Sequence, residues 1–387
     1  MLRLAHSSRI VGIAAVTALL LAALNAQQTG IVRDGNRFRR DFWGTHPATH
    51  KLRINAHGPV TLQAGTSSAV SYSVSVTVRA RNEAEARRVL EHYSVRVETV
   101  GDRVVVTAPG GPVISTVTVK TPRLDSAVIS TSDGAVDANG VEGVLEVDTG
   151  AGELAIDRIK GDCKLVTGGG EVRVGAVGGS LYCRSGAGKI QVESVKGQAI
   201  LETMGGDISA HEVGGPVRAE TGGGGIRIVR AGGAVSAGTG GGQIVVDHAG
   251  GIVTARNMAG PVQVGSAAGV QCESASGGIR VSNINGPMRV STSLGNIMAT
   301  LLGANLVDSF LATANGDITV LIPSSVGVTI RAQNDMADSL RRITTDFSGI
   351  SVRRMGRQVV AEGPVNGGGP LLQISATVGN IFIRRQQ

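Results

Sequence analysis

Between Ser126 and Gly269 the chain returns to the same pattern every 18 residues, eight times over, with no insertion or deletion. Glycine closes each unit, from Gly143 and Gly161 through Gly251 to Gly269, and a second glycine marks the ninth position, from Gly134 to Gly260. A short fixed period means that each unit can bury its apolar side only against its neighbours, so the chain must stack into a solenoid. Within a unit, positions 2, 4, 11, 13 and 16 are apolar and position 6 is usually Thr or Ser. The unit Ser180–Gly197 reads Leu181, Cys183, Ser185, Gly188, Ile190, Val192, Val195. Alternation at 2-4-6 and again at 11-13 has the period of a strand with one buried face, and no helical spacing fits. The glycines fall where the chain must turn, which predicts positive φ there.

The register runs on past the perfect block. Val270–Gly286 reads one residue short, Pro287–Ala304 is full length, and a last coil starts at Asp308 after a three-residue insertion. That predicts eleven coils, a rod roughly 50 Å long at about 4.8 Å per coil. A parallel strand returning to its own sheet crosses over right-handed. A left-handed hexapeptide helix would need three equivalent thirds per coil, and this unit divides unequally around two glycines. The expected fold is therefore all-β, a single-stranded parallel β-solenoid, right-handed, over residues 126–323.

The flanks break the pattern. Residues 27–50 are polar, with Arg33, Arg37, Arg39 and Arg40, and read as a flexible arm. Residues 51–125 read as a small mixed α/β N-terminal cap, with strands at Tyr72–Val78 and Asp102–Ala108 and a helix over Asn82–His92 capped by Asn82. Val117-Thr118-Val119 with Pro122 reads as the opening coil of the rod, and Leu321-Ile322-Pro323 as its close. Residues 324–387 form a C-terminal β cap with strand runs at Gly327–Ala332, Val359–Glu362, Leu371–Thr377 and Ile381–Arg384. Caps are needed because bare terminal coils would expose strand backbone and apolar core.

Residues 1–26 carry Arg3 and Arg9, then the apolar run Ile10–Leu24, then the small residue Ala26, the layout of a secretory signal peptide. No later segment could span a membrane as a helix, so the mature chain is expected to lack an integral membrane segment. Aromatics are scarce, one Trp, three Tyr and five Phe among 387 residues, so the core must be built from Val, Ile, Leu and Ala. The three cysteines, Cys163, Cys183 and Cys272, all take inward positions. They read as buried free thiols, because Cys163 and Cys183 are offset along adjacent strands, a poor disulfide geometry.

The leader, the mixed segment Val74–Ala108, the repeated Thr-x-Gly-Gly-x-Ile/Val-x-Val units at Thr167–Val174 and Thr239–Val246, and the closing Gly316–Pro323 together resemble the bacterial putative-adhesin family, exported glycine-rich β-solenoid domains of unknown function. The resemblance covers roughly residues 50–385. It implies an envelope or surface location and a binding or scaffolding role, and it supplies no catalytic residues.

The residues themselves offer little chemistry. Runs such as Gly222–Gly225 contain neither phosphate-loop nor dinucleotide spacing, and the turns lack the aspartates of calcium-binding nonapeptides. The column Thr131, Thr149, Thr167, Ser185, Thr203, Thr221, Thr239 shares the parity of the core and predicts a hydrogen-bonded corner ladder. Stacking brings Arg184, Glu202 and Glu220 into one outward column with Arg218 nearby, and Glu153 beside Glu171. A glycosidase could use such a carboxylate pair, but coils this short build no cleft, so both read as solvated ladders. His46, His50 and His57 lie in an extended segment with no fourth ligand for zinc. The common hydrolase nucleophile and zincin motifs are absent. Outward arginines (Arg173, Arg184, Arg218, Arg227, Arg256, Arg280, Arg289) are interspersed with acids, and the C-terminal region is more basic. Catalytic, cofactor and metal residues are accordingly expected to be none. The formal charge of +7, of which Arg3 and Arg9 lie in the expected leader, leaves about +5 for the mature chain, and in an exported chain this suits a surface glycan, lipopolysaccharide or an envelope protein rather than nucleic acid. The expected function is a non-enzymatic envelope or surface binding scaffold. A polysaccharide lyase or glycoside hydrolase on a β-helix, and an envelope sensor or assembly factor, are the alternatives.

Overall fold

The computed structural model describes residues 27–302, 305–336 and 340–386; the leader expected over 1–26 lies outside them. Each repeat contributes two strands. The first, such as Cys163–Thr167 or Leu181–Ser185, joins one parallel sheet, here face one; the second, such as Val172–Val177 or Ile190–Val195, joins an opposite parallel sheet, face two. Neighbours pair in register one repeat apart, as in Cys163↔Leu181 and Val172↔Ile190. Eleven such coils run from Ser126 to Ile322, so the β-solenoid is as expected.

The core is the closed space between the faces. Positions 2 and 4 of face one and 11 and 13 of face two are buried, as Leu181, Cys183, Ile190 and Val192 show. Position 16 also points inward although it breaks the alternation. Pairing along face two skips one residue, from Val174↔Val192 to Ala176↔Ser194, and this bend turns Val177 and Val195 back into the core. Each buried Val, Leu or Ile contributes about 1.5–3 kcal/mol of transfer free energy.

The one-residue shortening sits earlier than the sequence suggests. Ile252 pairs Gly269 and Val253 pairs Val270, so the short coil is the one ending before Gly269. Gly269 thus opens a coil rather than closing one, and the repeat is perfect only to Gly251. The slip was hidden because a glycine stands at both candidate places. The later insertion is where it was expected: Ile297 pairs Ile318.

Both ends differ from expectation in the same way. Ser126–Thr131 pairs with Lys51–Ala56, and Val136–Asn139 with Val60–Gln63, so residues 51–64 are the coil that stacks directly on the first repeat. Ile114–Thr121, which holds the Val117–Val119 segment expected to open the rod, and Arg103–Thr107, expected as a cap strand, form the rung one further out, so the opening segment is not adjacent to the first repeat. At the far end Leu371–Val378 slots between Ser309–Asn315 and Val328–Asn334. Ile381–Arg385 likewise lies between Ile318–Ile322 and Ile343–Thr345. The last strands in sequence are therefore a coil of the rod, and Pro323 does not close it. Consecutive strands are usual neighbours in space, and at each end one coil is displaced from that order.

The flexible arm expected over 27–50 is a correction too. Arg37–His46 is a ten-residue strand, antiparallel to Val70–Arg79, with Phe38 and Phe42 buried. Its alternation is masked by arginines, since Arg40 occupies an inward position. Arg40 escapes burial as a bare charge by donating from Nη1 to the Leu90 carbonyl at 2.7 Å and lying over the Phe42 ring. That carbonyl ends the helix Glu83–Leu90, whose first turn is held by Asn82 accepting from the Glu85 amide at 2.9 Å. The outermost strands of face one, Arg96–Val100 and Ser351–Met355, are exposed and carry Arg96, Arg353 and Arg354, charges that discourage another strand from adding.

Candidate functional site

The position-6 column runs along the corner after face one. Thr203 Oγ1 accepts from the Gly206 amide at 3.3 Å and donates to the Gly188 carbonyl of the preceding coil at 2.9 Å. Thr167, Ser185, Thr221 and Thr239 repeat both bonds. Asn257 substitutes its amide, donating to Gly242, and Asn334 donates to Gly379 in the displaced C-terminal coil. Ser274, in the coil after the shortened one, is buried with its Oγ unpartnered. The ladder is structural, and its hydroxyls from Thr167 to Thr239 are consumed.

Among the ninth-position glycines, Gly134, Gly152 and Gly260 take the positive φ expected of them, and the others are explained by approach. Of the five from Gly170 to Gly242, none has a left-handed φ. A Cβ on Gly170, Gly188, Gly206, Gly224 or Gly242 would instead fall within 3.0 Å of the carbonyl of the equivalent glycine one coil earlier. Only hydrogen fits between the coils at that corner.

The cysteines are buried and unbridged, and they lie in three different strands of face one. Burial pushes the Cys163 and Cys272 thiols up to about 12 and raises Cys183 as well. A thiol held neutral is neither nucleophile nor ligand.

Many of the outward carboxylates are spent on neighbours. Glu202 and Glu220 are register partners, as stacking predicts, but Glu220 lies 2.8 Å from Arg218 and the pair faces an open depression bordered by Arg184 and Met204. Arg173 bridges Glu153 and Glu171. Asp157, Asp162 and Asp207 each accept an amide of the following coil. Arg227 pairs Asp247, and at the C-terminal end Arg331 and Arg353 share Glu362 while Arg384 pairs Asp346. His46 meets Thr99 and His50 faces Asp125. Among the described residues no group of three or more His, Cys, Asp or Glu converges.

One concavity differs, and the sequence reading missed it. It is an open groove of about 580 Å³ on the outward side of the N-terminal extension of face two, similar in size to the depression of about 510 Å³ beside Glu202 but set apart by its lining. Four strands place its side chains in two rows. Gln27, Trp43, Ser73 and Thr118 are successive register partners across the sheet, and Thr45, Ser71 and Lys120 form the parallel row. Trp43, the chain's single tryptophan, is 39% exposed. Beneath it the sheet is locked, because Tyr72 lies across Gly44 so closely that a Cβ there would collide with the phenol ring. Lys120 makes no ion pair among the described residues. The lone Trp in a chain poor in aromatics was the available signal; the arm assigned to its segment concealed it.

No family model matches the chain, and no curated protein matches it. Among solved structures, a putative adhesin from Bacteroides fragilis is 11% identical, covering 91% of this chain and 98% of its own, with a TM-score of 0.22. A putative cell adhesion protein from Clostridium sporogenes is 10% identical over 90% of this chain and 100% of its own, with a TM-score of 0.18. A putative adhesin from Parabacteroides distasonis is 8% identical over 89% and 96%, with a TM-score of 0.22. At those identities and scores none of them bears on this chain's site.

Proposed function

We propose that this chain is a non-enzymatic, exported cell-envelope or surface protein, an adhesin-like β-solenoid that presents a rigid face to a partner. The observation that carries the reading is the state of its outward carboxylates. Those that stack in pairs are at least partly exposed and set on open sheet faces rather than in a cleft; Glu220, Glu153 and Glu171 are salt-bridged, and Glu202 accepts from the Tyr182 hydroxyl at 3.5 Å. General acid–base work needs two carboxyl groups held in different environments around an enclosed bond. Neither pair provides that, whereas a stiff rod with regular outward columns suits binding. No helix among the described residues is long and apolar enough to cross a membrane. The partner we favour is a surface glycan, lipopolysaccharide or an envelope protein.

The test combines localisation with binding. Immunoblots of cytoplasm, periplasm, outer membrane and medium should find the protein outside the cytoplasm. The purified protein should bind isolated envelope saturably and release no new reducing ends from acidic or neutral polysaccharides, with Glu202→Gln behaving as the parent. Cytoplasmic residence, or polysaccharide cleavage lost in Glu202→Gln, would sink the reading.

A further inference from the structure

We infer that the Trp43 groove is a carbohydrate site, and that its ligand is a pyranose bearing a carboxylate, a uronic acid residue of a glycan. The inference rests on the binding reading above and assigns it a place. Trp43 is 39% exposed, which leaves part of its indole open to a ligand in the groove. A pyranose ring has one face of C–H bonds, which suits the flat face of an indole, and a rim of hydroxyls, which needs neutral partners able both to donate and to accept.

The groove supplies that rim. Thr45, Ser71, Ser73 and Thr118 contribute hydroxyls and Gln27 an amide, all at fixed cross-strand positions. Hydroxyls and amides offer both hydrogen-bonding senses. The rigidity matters as much as the inventory: the groups stand on paired strands, so little ordering entropy is lost on binding.

Charge selects within that class. Lys120 is the only basic or acidic side chain among the groove's lining residues, Tyr72 being a phenol neutral at ordinary pH; Lys120 is exposed and has no acid partner among the described residues. The nearest carboxylate along the Trp43 strand, Asp41, is held by Arg39 at 3.2 Å. An unopposed ammonium at the rim of a hydroxyl-lined cavity favours a carboxylate over a neutral sugar, and the preference should weaken with salt.

The single tryptophan makes the site directly observable, since intrinsic indole fluorescence reports Trp43 alone. Purified protein is titrated with a trigalacturonide and with the matching neutral trigalactoside, and affinities are repeated by calorimetry. The expected result is a saturable fluorescence change with the acidic sugar, weaker in high salt. Trp43→Ala should lose at least tenfold in affinity, and Lys120→Met should bind both sugars alike while keeping the parent's thermal midpoint. Glu202→Gln, on a distant face, should match the parent. Absence of a saturable change, equal affinity for the two sugars in the parent, or undiminished binding by Trp43→Ala overturns the assignment. If Trp43→Ala still binds isolated envelope as the parent does, the groove fails alone; if the parent binds no envelope material, the binding function fails with it.

Discussion

Thr203 shows how one hydroxyl serves two coils. Replacing it with valine keeps the shape but leaves the Gly188 carbonyl and the Gly206 amide without their partner at a corner where Thr203 is 6% exposed. An orphaned buried polar group costs about 1–3 kcal/mol. Thr203→Val should therefore lower the unfolding free energy read from urea titration by that much, whereas Thr254→Val, on the outward side of face one, should stay within about 0.5 kcal/mol. The cysteines give a second residue-scale expectation, read by thiol labelling. Burial raises their pKa, so below the raised value they stay protonated, and at pH 8 the native protein should react with almost no disulfide reagent. All three should react once it is unfolded. This ladder and these thiols were legible in the sequence, because inward parity is a local property of a strand. The ninth-position glycines were legible only as turns. Their real constraint, a carbonyl one coil away, exists only once the coils are stacked.

A coil tolerates length changes at its corners and not within its strands. The three-residue insertion between Leu301 and Ser309 leaves both flanking strands in register, and the missing residue before Gly269 is absorbed at a corner as well. Inside a strand a one-residue slip turns every core side chain to solvent. A three-residue insertion at the corner between Gly215 and Pro216 should therefore keep a cooperative thermal transition. One extra residue between Ile226 and Ile228 should cost several kcal/mol, on the order of two buried aliphatic side chains, visible as a lowered midpoint or insoluble protein. The strand at Arg37–His46 was the element least readable from sequence. Its arginines suggested solvent, but Arg40 is held by the end of a helix about fifty residues away in the chain, and no local pattern encodes such a partner.

At the scale of the molecule, both ends of the rod are interlocked. The coil 51–64 is followed outward by Arg103–Thr107 and Ile114–Thr121, and the coil 371–385 lies beneath Val328–Asn334 and Ile343–Thr345. Deleting residues 371–387 would remove the rung on which the rest of the C-terminal cap rests. It would also expose the strands at Ser309–Asn315 and Ile318–Ile322 as bare edges. The expected outcome is concentration-dependent aggregation by light scattering, in contrast to a chain shortened only by Gln386 and Gln387. The sequence alone determined the period, the two strands per coil, the core columns and the polar ladder, because each follows from alternation and repetition along the chain. The tertiary structure decided the rest: which coil opens the rod, where the register slips, why the ninth residue is glycine, and that a tryptophan, four hydroxyls and a lysine share one groove. Those depend on strands meeting across tens of residues, and pairing between distant strands is set by which edges are free once the repeats have stacked.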